Sequence, residues 1–152
     1  MVRKTPEGYR SLTPYLVNEG AERVIRFVRQ AFGGAEKFPP MRRPDGTIMH
    51  AQMRIGDSVI MLAEASAEYP PIPGCFYLYV EDVDGTYRRA LQAGAMPVIE
   101  PMDRFYGDRS AGVRDPAGNY WWIATHKEDV SEEEMERRFR ASLQQQPSAM
   151  MR

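Results

Sequence analysis

Thr13-Pro14-Tyr15-Leu16-Val17 returns 62 residues later as Cys75-Phe76-Tyr77-Leu78-Tyr79. Each copy leads into a helical stretch, the first ending at Gly33-Gly34 and the second at Gly94, and each then runs into strand-like segments. The first copy closes with Gly56-Asp57 and Ser58-Val59-Ile60-Met61-Leu62. The second closes with Asp115-Pro116-Ala117-Gly118 and Asn119-Tyr120-Trp121-Trp122-Ile123. A turn and a terminal strand thus recur at nearly the same spacing. Such a repeat predicts two like half-domains, with function to be sought in the cleft they share.

Outward from the repeat, Leu12, Pro14 and Leu16 alternate with Thr13, Tyr15 and Val17, as in a strand with one face in the core. Asn18 is placed to cap the next element, where Ala21, Val24, Ile25, Val28, Ala31 and Phe32 recur at helical spacing until Gly33-Gly34. A short strand is expected near 35–41, then the Pro44-Asp45-Gly46 turn. Along Ile48 to Ile55, alternation puts Met49, Ala51, Met53 and Ile55 on one face and His50, Gln52 and Arg54 on the other. Gly56-Asp57 predicts a tight hairpin into a strand over Val59 to Ala63. The second copy gives a strand over Cys75 to Val80, a helix over Val83 to Ala93, and strands over Pro97 to Glu100, Ser110 to Arg114 and Asn119 to Thr125.

One helix and four strands per half are too rich in strands for a parallel doubly wound sheet. The expected class is therefore α+β: two βαβββ modules forming a curved, mostly antiparallel sheet around a cleft, plus a C-terminal helix. Its boundaries are a lead-in over 1–10 and a single domain over 11–129, with module one at 11–66 and module two at 74–129. The C-terminal helix spans 130–143, opened by a Ser131-Glu132-Glu133-Glu134 capping box and docked through Met135, Phe139 and Leu143. Residues 144–152 are expected to be a disordered tail.

With 152 residues the chain is about one domain long and large enough to fold on its own core. A single cysteine, Cys75, excludes an intrachain disulfide framework, and no secretory apolar run opens the chain, so a reducing, cytoplasmic setting is expected. A net charge of −1 offers no general attraction to nucleic acid, and no run is long enough for a bilayer span. Neither nucleic acid nor membrane is an expected partner.

Several stretches carry a family resemblance over about Leu12 to Asp129. Thr13-Pro14-Tyr15-Leu16, Ile48-Met49-His50-Ala51-Gln52-Met53-Arg54-Ile55-Gly56-Asp57-Ser58 and Tyr79-Val80-Glu81-Asp82-Val83-Asp84 are three of them. Phe105-Tyr106-Gly107-Asp108-Arg109, Arg114-Asp115-Pro116-Ala117-Gly118 and Ala124-Thr125-His126 complete the set. Together they resemble the vicinal oxygen chelate superfamily of glyoxalase I, extradiol dioxygenases and bleomycin-resistance proteins, and within it the PhnB-like branch. The resemblance implies a frequent homodimer and, in the metal enzymes, four inward-facing His or Glu ligands from the first and last strands of each module. Carried over by register, those positions are Thr13, Met61, Cys75 and Trp122. Threonine is a weak ligand, methionine a soft one, and tryptophan offers no lone pair. No metal or other cofactor is therefore expected at the usual site.

Strand parity lists what the cleft would hold instead. If Leu16, Ile60, Leu62, Phe76, Leu78, Trp121 and Ile123 face the helices, then Tyr15, Met61, Tyr77, Tyr79, Tyr120 and Trp122 face the concavity, joined by His50 and Gln52. Such a wall suits a flat organic ligand held by stacking, or else fills a closed core or a dimer interface. His50 reads as a general base, an isolated metal ligand or a hydrogen-bonded structural histidine, and His126 as a catalytic group or as the stop of its strand. In the 103–109 loop, Tyr106 and Arg109 are placed to close over a ligand, Arg109 serving a carboxylate or phosphate. Alternatively Asp108 and Arg109 pair with each other. Glu64 reads as a solvated rim residue.

The leading function is metal-independent binding of a small aromatic or amphipathic molecule, with Tyr15, His50, Gln52, Met61, Tyr77, Tyr106, Arg109 and Trp122 as cleft candidates. The alternative is a lyase, isomerase or dioxygenase that uses a relocated metal site or metal-free acid–base chemistry near His50. A relocated site would need His50 with two of Gln52, Glu64, Cys75 and His126.

Overall fold

In the computed structural model, which describes residues 1–145, module one runs β1 (Tyr15–Asn18), α1 (Ala21–Phe32), β2 (Ala35–Glu36), β3 (Met41–Arg42), β4 (Ile48–Ile55) and β5 (Ser58–Glu64). Module two runs β6 (Cys75–Tyr79), α2 (Val83–Gln92), β7 (Met96–Asp103), β8 (Asp108–Arg114) and β9 (Tyr120–His126), and α3 (Glu132–Gln145) follows. The class is α+β; module two is a βαβββ unit, and module one keeps that order with its second strand split into β2 and β3. The sheets are ordered β1-β5-β4-β2, with β3 also on β4, and β6-β9-β8-β7. The first strand of each module pairs in parallel with the last, and all other pairs are antiparallel.

Register makes the repeat a structural one. Tyr15 lies opposite Met61 and Tyr77 opposite Trp122, with Gln52 and Gly112 next in their rows. The Gly56-Asp57 turn closes β4 on β5 as expected, Gly56 taking the positive φ of 55° that a two-residue hairpin requires. On the helical side, Leu16, Ile60, Leu62, Trp121 and Ile123 are buried in one core with both helices. Phe32 of α1 reaches the Trp121 ring of module two at 5.0 Å between centroids, and Phe76 meets the same ring at 4.6 Å. The helix-free faces are left open, and their aromatics are exposed: Tyr15 by 51%, Tyr77 by 45% and Tyr79 by 60%.

A buried amide fork joins the halves. Asn18, at the end of β1, and Asn119, just before β9, exchange side-chain hydrogen bonds of 3.1 and 3.0 Å. Asn119 also accepts the Gly74 N–H at 2.8 Å and donates to Asp115 at 2.8 Å. Asp115 in turn accepts the backbone N–H groups of Ala117 and Asn119 and the Trp121 indole N–H. Buried polar groups persist only when paired, and here every member is.

Several local expectations are corrected. Asn18 does not cap α1, because its amide is held by Asn119; the N-cap position is Gly20, without a side-chain cap of its own. Leu12 is not a core residue: β1 begins three positions later, and Leu12 is exposed. Met49 leaves the buried row because β3 pairs with β4 through a register shift there, and Ile48 is buried in its stead. The strand near 35–41 resolves into two separate two-residue strands. Half of the capping box forms, Glu134 N–H donating to Ser131 Oγ at 3.2 Å, while the Glu134 carboxylate turns to Arg137 and Arg138. No residue of α3 is buried. It rests on a Phe105–Phe139 ring contact of 5.8 Å and on Arg138 donating to Phe105 O and Glu128. Positions 144 and 145 belong to this helix, and the rest of the expected tail, 146–152, lies outside the described residues.

Replacing the fork is the sharpest test of the fold. Asn119→Ala leaves the Asn18 amide, the Gly74 N–H and one Asp115 oxygen short of partners and is expected to cost about 3 kcal/mol or more in urea unfolding. A loss below about 1 kcal/mol would show that the fork does not hold the modules together.

Candidate functional site

The helix-free face of module one gathers four of the expected cleft residues. Tyr15 Oη lies 3.0 Å from His50 Nδ1, and Gln52 Nε2 lies 2.9 Å from His50 Nε2. Since an amide N–H donates, Nε2 is the acceptor of the ring and Nδ1–H is left for the Tyr15 oxygen. Gln52 Oε1 accepts the hydroxyl of Tyr9, and the Lys37 ammonium stands 4.0 Å from the centre of the Tyr9 ring. Residues of the lead-in therefore lie over this face. A recess of about 440 Å³ is lined by these residues together with Gln52 and Met61.

Module two presents a different arrangement built around Asp108, which is only 3% exposed. Its Oδ2 accepts the hydroxyls of Tyr77 and Tyr79, each at 2.8 Å, and its Oδ1 lies 2.8 Å from His126 Nδ1. The Tyr106 hydroxyl stands 3.3 Å from that of Tyr77. Burial alone would raise the Asp108 carboxyl, but the His126, Tyr77 and Tyr79 hydrogen bonds together lower it below the ordinary value. Tyr77 is pushed well up, first by burial and then by Tyr106 and Asp108. His126 is raised by Asp108 and, at its other nitrogen, by Asp129 at 2.8 Å. Trp122 lies across Gly112, whose missing side chain makes the room; a Cβ there would run into the indole.

A groove of about 960 Å³ runs between the modules, with the Gly56-Asp57 hairpin and Phe32 on one side and Tyr77, Tyr79 and His126 on the other. Of the eight cleft candidates, Tyr15, His50, Gln52 and Met61 meet on module one, and Tyr77 and Tyr106 meet on module two with Trp122 beside Tyr77 in register. No hydrogen bond or ring contact joins the two sets among the described residues. Arg109 belongs to neither. It forks onto Asp84 of α2 at 2.8 and 2.9 Å and onto Asp103 at 3.2 Å, so the ion pair read as one alternative forms with these two aspartates and not with Asp108.

Glu64 is no idle rim residue. Its carboxylate receives the N–H groups of Gly20 and Ala21 at 2.9–3.2 Å, capping α1 from the end of β5 where negative charge also suits the helix dipole. The residues proposed for a relocated metal site are thus kept apart: Glu64 on α1, His126 on module two, Cys75 exposed at the start of β6. Among the described residues no group of three or more His, Cys, Asp or Glu side chains converges as metal ligands, and no helix is long and apolar enough to cross a membrane.

The sequence model of the Glyoxalase/Bleomycin resistance protein/Dioxygenase superfamily matches residues 14–123. The chain belongs to that superfamily. An uncharacterized protein of Mycobacterium tuberculosis is 31% identical over 137 residues, 83% of this chain and 80% of its own. TioX from Micromonospora sp. ML1 is similar in structure, with a TM-score of 0.63 and 26% identity over 77% of this chain and 98% of that one. A PhnB protein from Bacillus cereus, a putative 3-demethylubiquinone-9 3-methyltransferase, shares the fold at TM-score 0.61 and 17% identity, covering 76% and 99%.

Within this member of the glyoxalase/bleomycin-resistance superfamily, sequence reading missed Asp108 and Tyr9 as site residues. Asp108 lay two positions outside the strand expected from Ser110, yet it shares the parity of Ser110 and Gly112 and faces Tyr77 once β8 is extended. Tyr9 carried no periodic signal at all.

The sign of the pH dependence follows from these shifts. The lowered Asp108 contributes stability above its ordinary pKa of 3.8, lost as pH falls through its folded value; the raised His126 contributes fully below 6.5, lost as pH rises through its folded value. Asp108→Asn is expected to cost about 1–3 kcal/mol. The difference from the parent chain should be larger at pH 6 than at pH 9 in urea unfolding, and proton NMR should show His126 titrating lower in the variant. An equal cost at both pH values would deny the coupling.

Proposed function

We propose that this protein binds a small aromatic or amphipathic molecule, without a metal, on the aromatic helix-free surface of its modules. The observation that carries the reading is the exposed pair of Tyr77 and Tyr79 rings, both held by the buried Asp108, with the half-buried Trp122 beside Tyr77 in register. Rings fixed in place lose little conformational freedom on stacking, and a contiguous exposed aromatic surface calls for something to cover it. Thr13, Met61, Cys75 and Trp122 supply no first shell for a hard divalent ion, which supports a metal-independent mode.

The same reading takes the protein as a homodimer acting in the cytoplasm, with neither nucleic acid nor membrane as partner. In support, the exposed aromatic face of module two is covered by no other element among the described residues, and a second copy would cover it.

Titration with planar aromatic compounds is expected to quench tryptophan fluorescence, equally with and without EDTA. Trp122→Ala should weaken binding roughly tenfold, about 1.4 kcal/mol. A panel of such compounds that leaves the emission unchanged, or binding abolished by EDTA and restored by a divalent metal, would overturn the reading.

A further inference from the structure

His126 is held between two carboxylates, Asp108 at Nδ1 and Asp129 at Nε2, both at 2.8 Å. A neutral imidazole has one donor nitrogen and one acceptor, and an acceptor facing a carboxylate is repelled. Two carboxylates facing the two nitrogens favour the doubly protonated ring, and both contacts raise the His126 pKa. Its two partners are not alike. Asp108 is buried and fixed by Tyr77 and Tyr79, whereas Asp129 is fully exposed and has His126 as its only side-chain hydrogen-bond partner among the described residues. The ring itself is half exposed, and it lines the inter-module groove beside Tyr77 and Tyr79. One ring nitrogen thus faces a buried, fixed acceptor and the other an exposed, replaceable one.

We propose that His126, oriented by Asp108, is an anion-recognition group, and that the Nε2–H now taken by Asp129 is the seat for the carboxylate of an aromatic acid whose ring lies against Tyr77 and Tyr79. The inference rests on the aromatic-binding reading above and narrows its ligand class to acids. It assigns His126 donation rather than proton abstraction, since both of its nitrogens are directed at carboxylates. Asp129 occupies the seat in the absence of ligand, so it competes with the ligand for the same N–H. Charge-assisted hydrogen bonds are the stronger kind, which makes the charge of the ligand, and not only its ring, a determinant of affinity.

The test compares 2-naphthoate with its neutral isostere 2-naphthamide by isothermal titration calorimetry on the full chain. Naphthoate is expected to bind about tenfold more tightly than the amide. His126→Gln should remove that preference while leaving amide binding in place. Asp129→Ala, at a fully exposed position that leaves the fold undisturbed, should tighten naphthoate several-fold and leave the amide unchanged. Equal binding of the two compounds, or a preference for the acid that survives His126→Gln, overturns the anion seat while the aromatic-binding reading stands. Binding of neither compound overturns the anion seat, and if no neutral aromatic quenches the tryptophan emission either, the aromatic-binding reading falls with it.

Discussion

The fold depends on one constraint: the buried amides of Asn18 and Asn119 must meet. They sit 101 residues apart in sequence, one from each module, and together with Asp115 they form a closed set of donors and acceptors. Sliding or rotating one module against the other would break several of these hydrogen bonds at once. The set also holds the Trp121 indole N–H, and Trp121 is the ring on which Phe27, Phe32 and Phe76 converge. Polar specificity and apolar packing are thereby fixed by the same few atoms.

On this frame the two modules are alike in backbone and unlike in chemistry. Gln52 and Gly112 occupy matching places in their rows, opposite Met61 and Trp122. The amide of module one stands up from the sheet to reach His50 and Tyr9. In module two the absent side chain lets an indole lie down. A single pair of matched positions thus separates a polar, hydrogen-bonded face from an aromatic one.

Much of this was legible in the sequence because it is local. Helical spacing from Ala21 to Phe32, the Gly56-Asp57 hairpin and the parity that separates Trp121 from Trp122 each depend on neighbours a few residues away. What parity cannot supply is the identity of a distant partner. Asn18 looked like a helix cap because its short-range chemistry permits one, and a longer-range amide took it. Glu64 looked solvated because the helix terminus it serves is 44 residues away in sequence. Arg109 carried the right chemistry for an anionic ligand, yet two aspartates on the other side of the sheet hold it.

The reach of Tyr9 across to Gln52 gives the two halves unequal room to diverge. A substitution on the module one face must suit both its own sheet and the segment lying over it, so each change there is judged twice. The open face of module two answers only to Asp108 and to whatever settles upon it. In a lineage built on this scaffold, new ligand preferences would accumulate first on module two, while module one changes in step with its own leading segment.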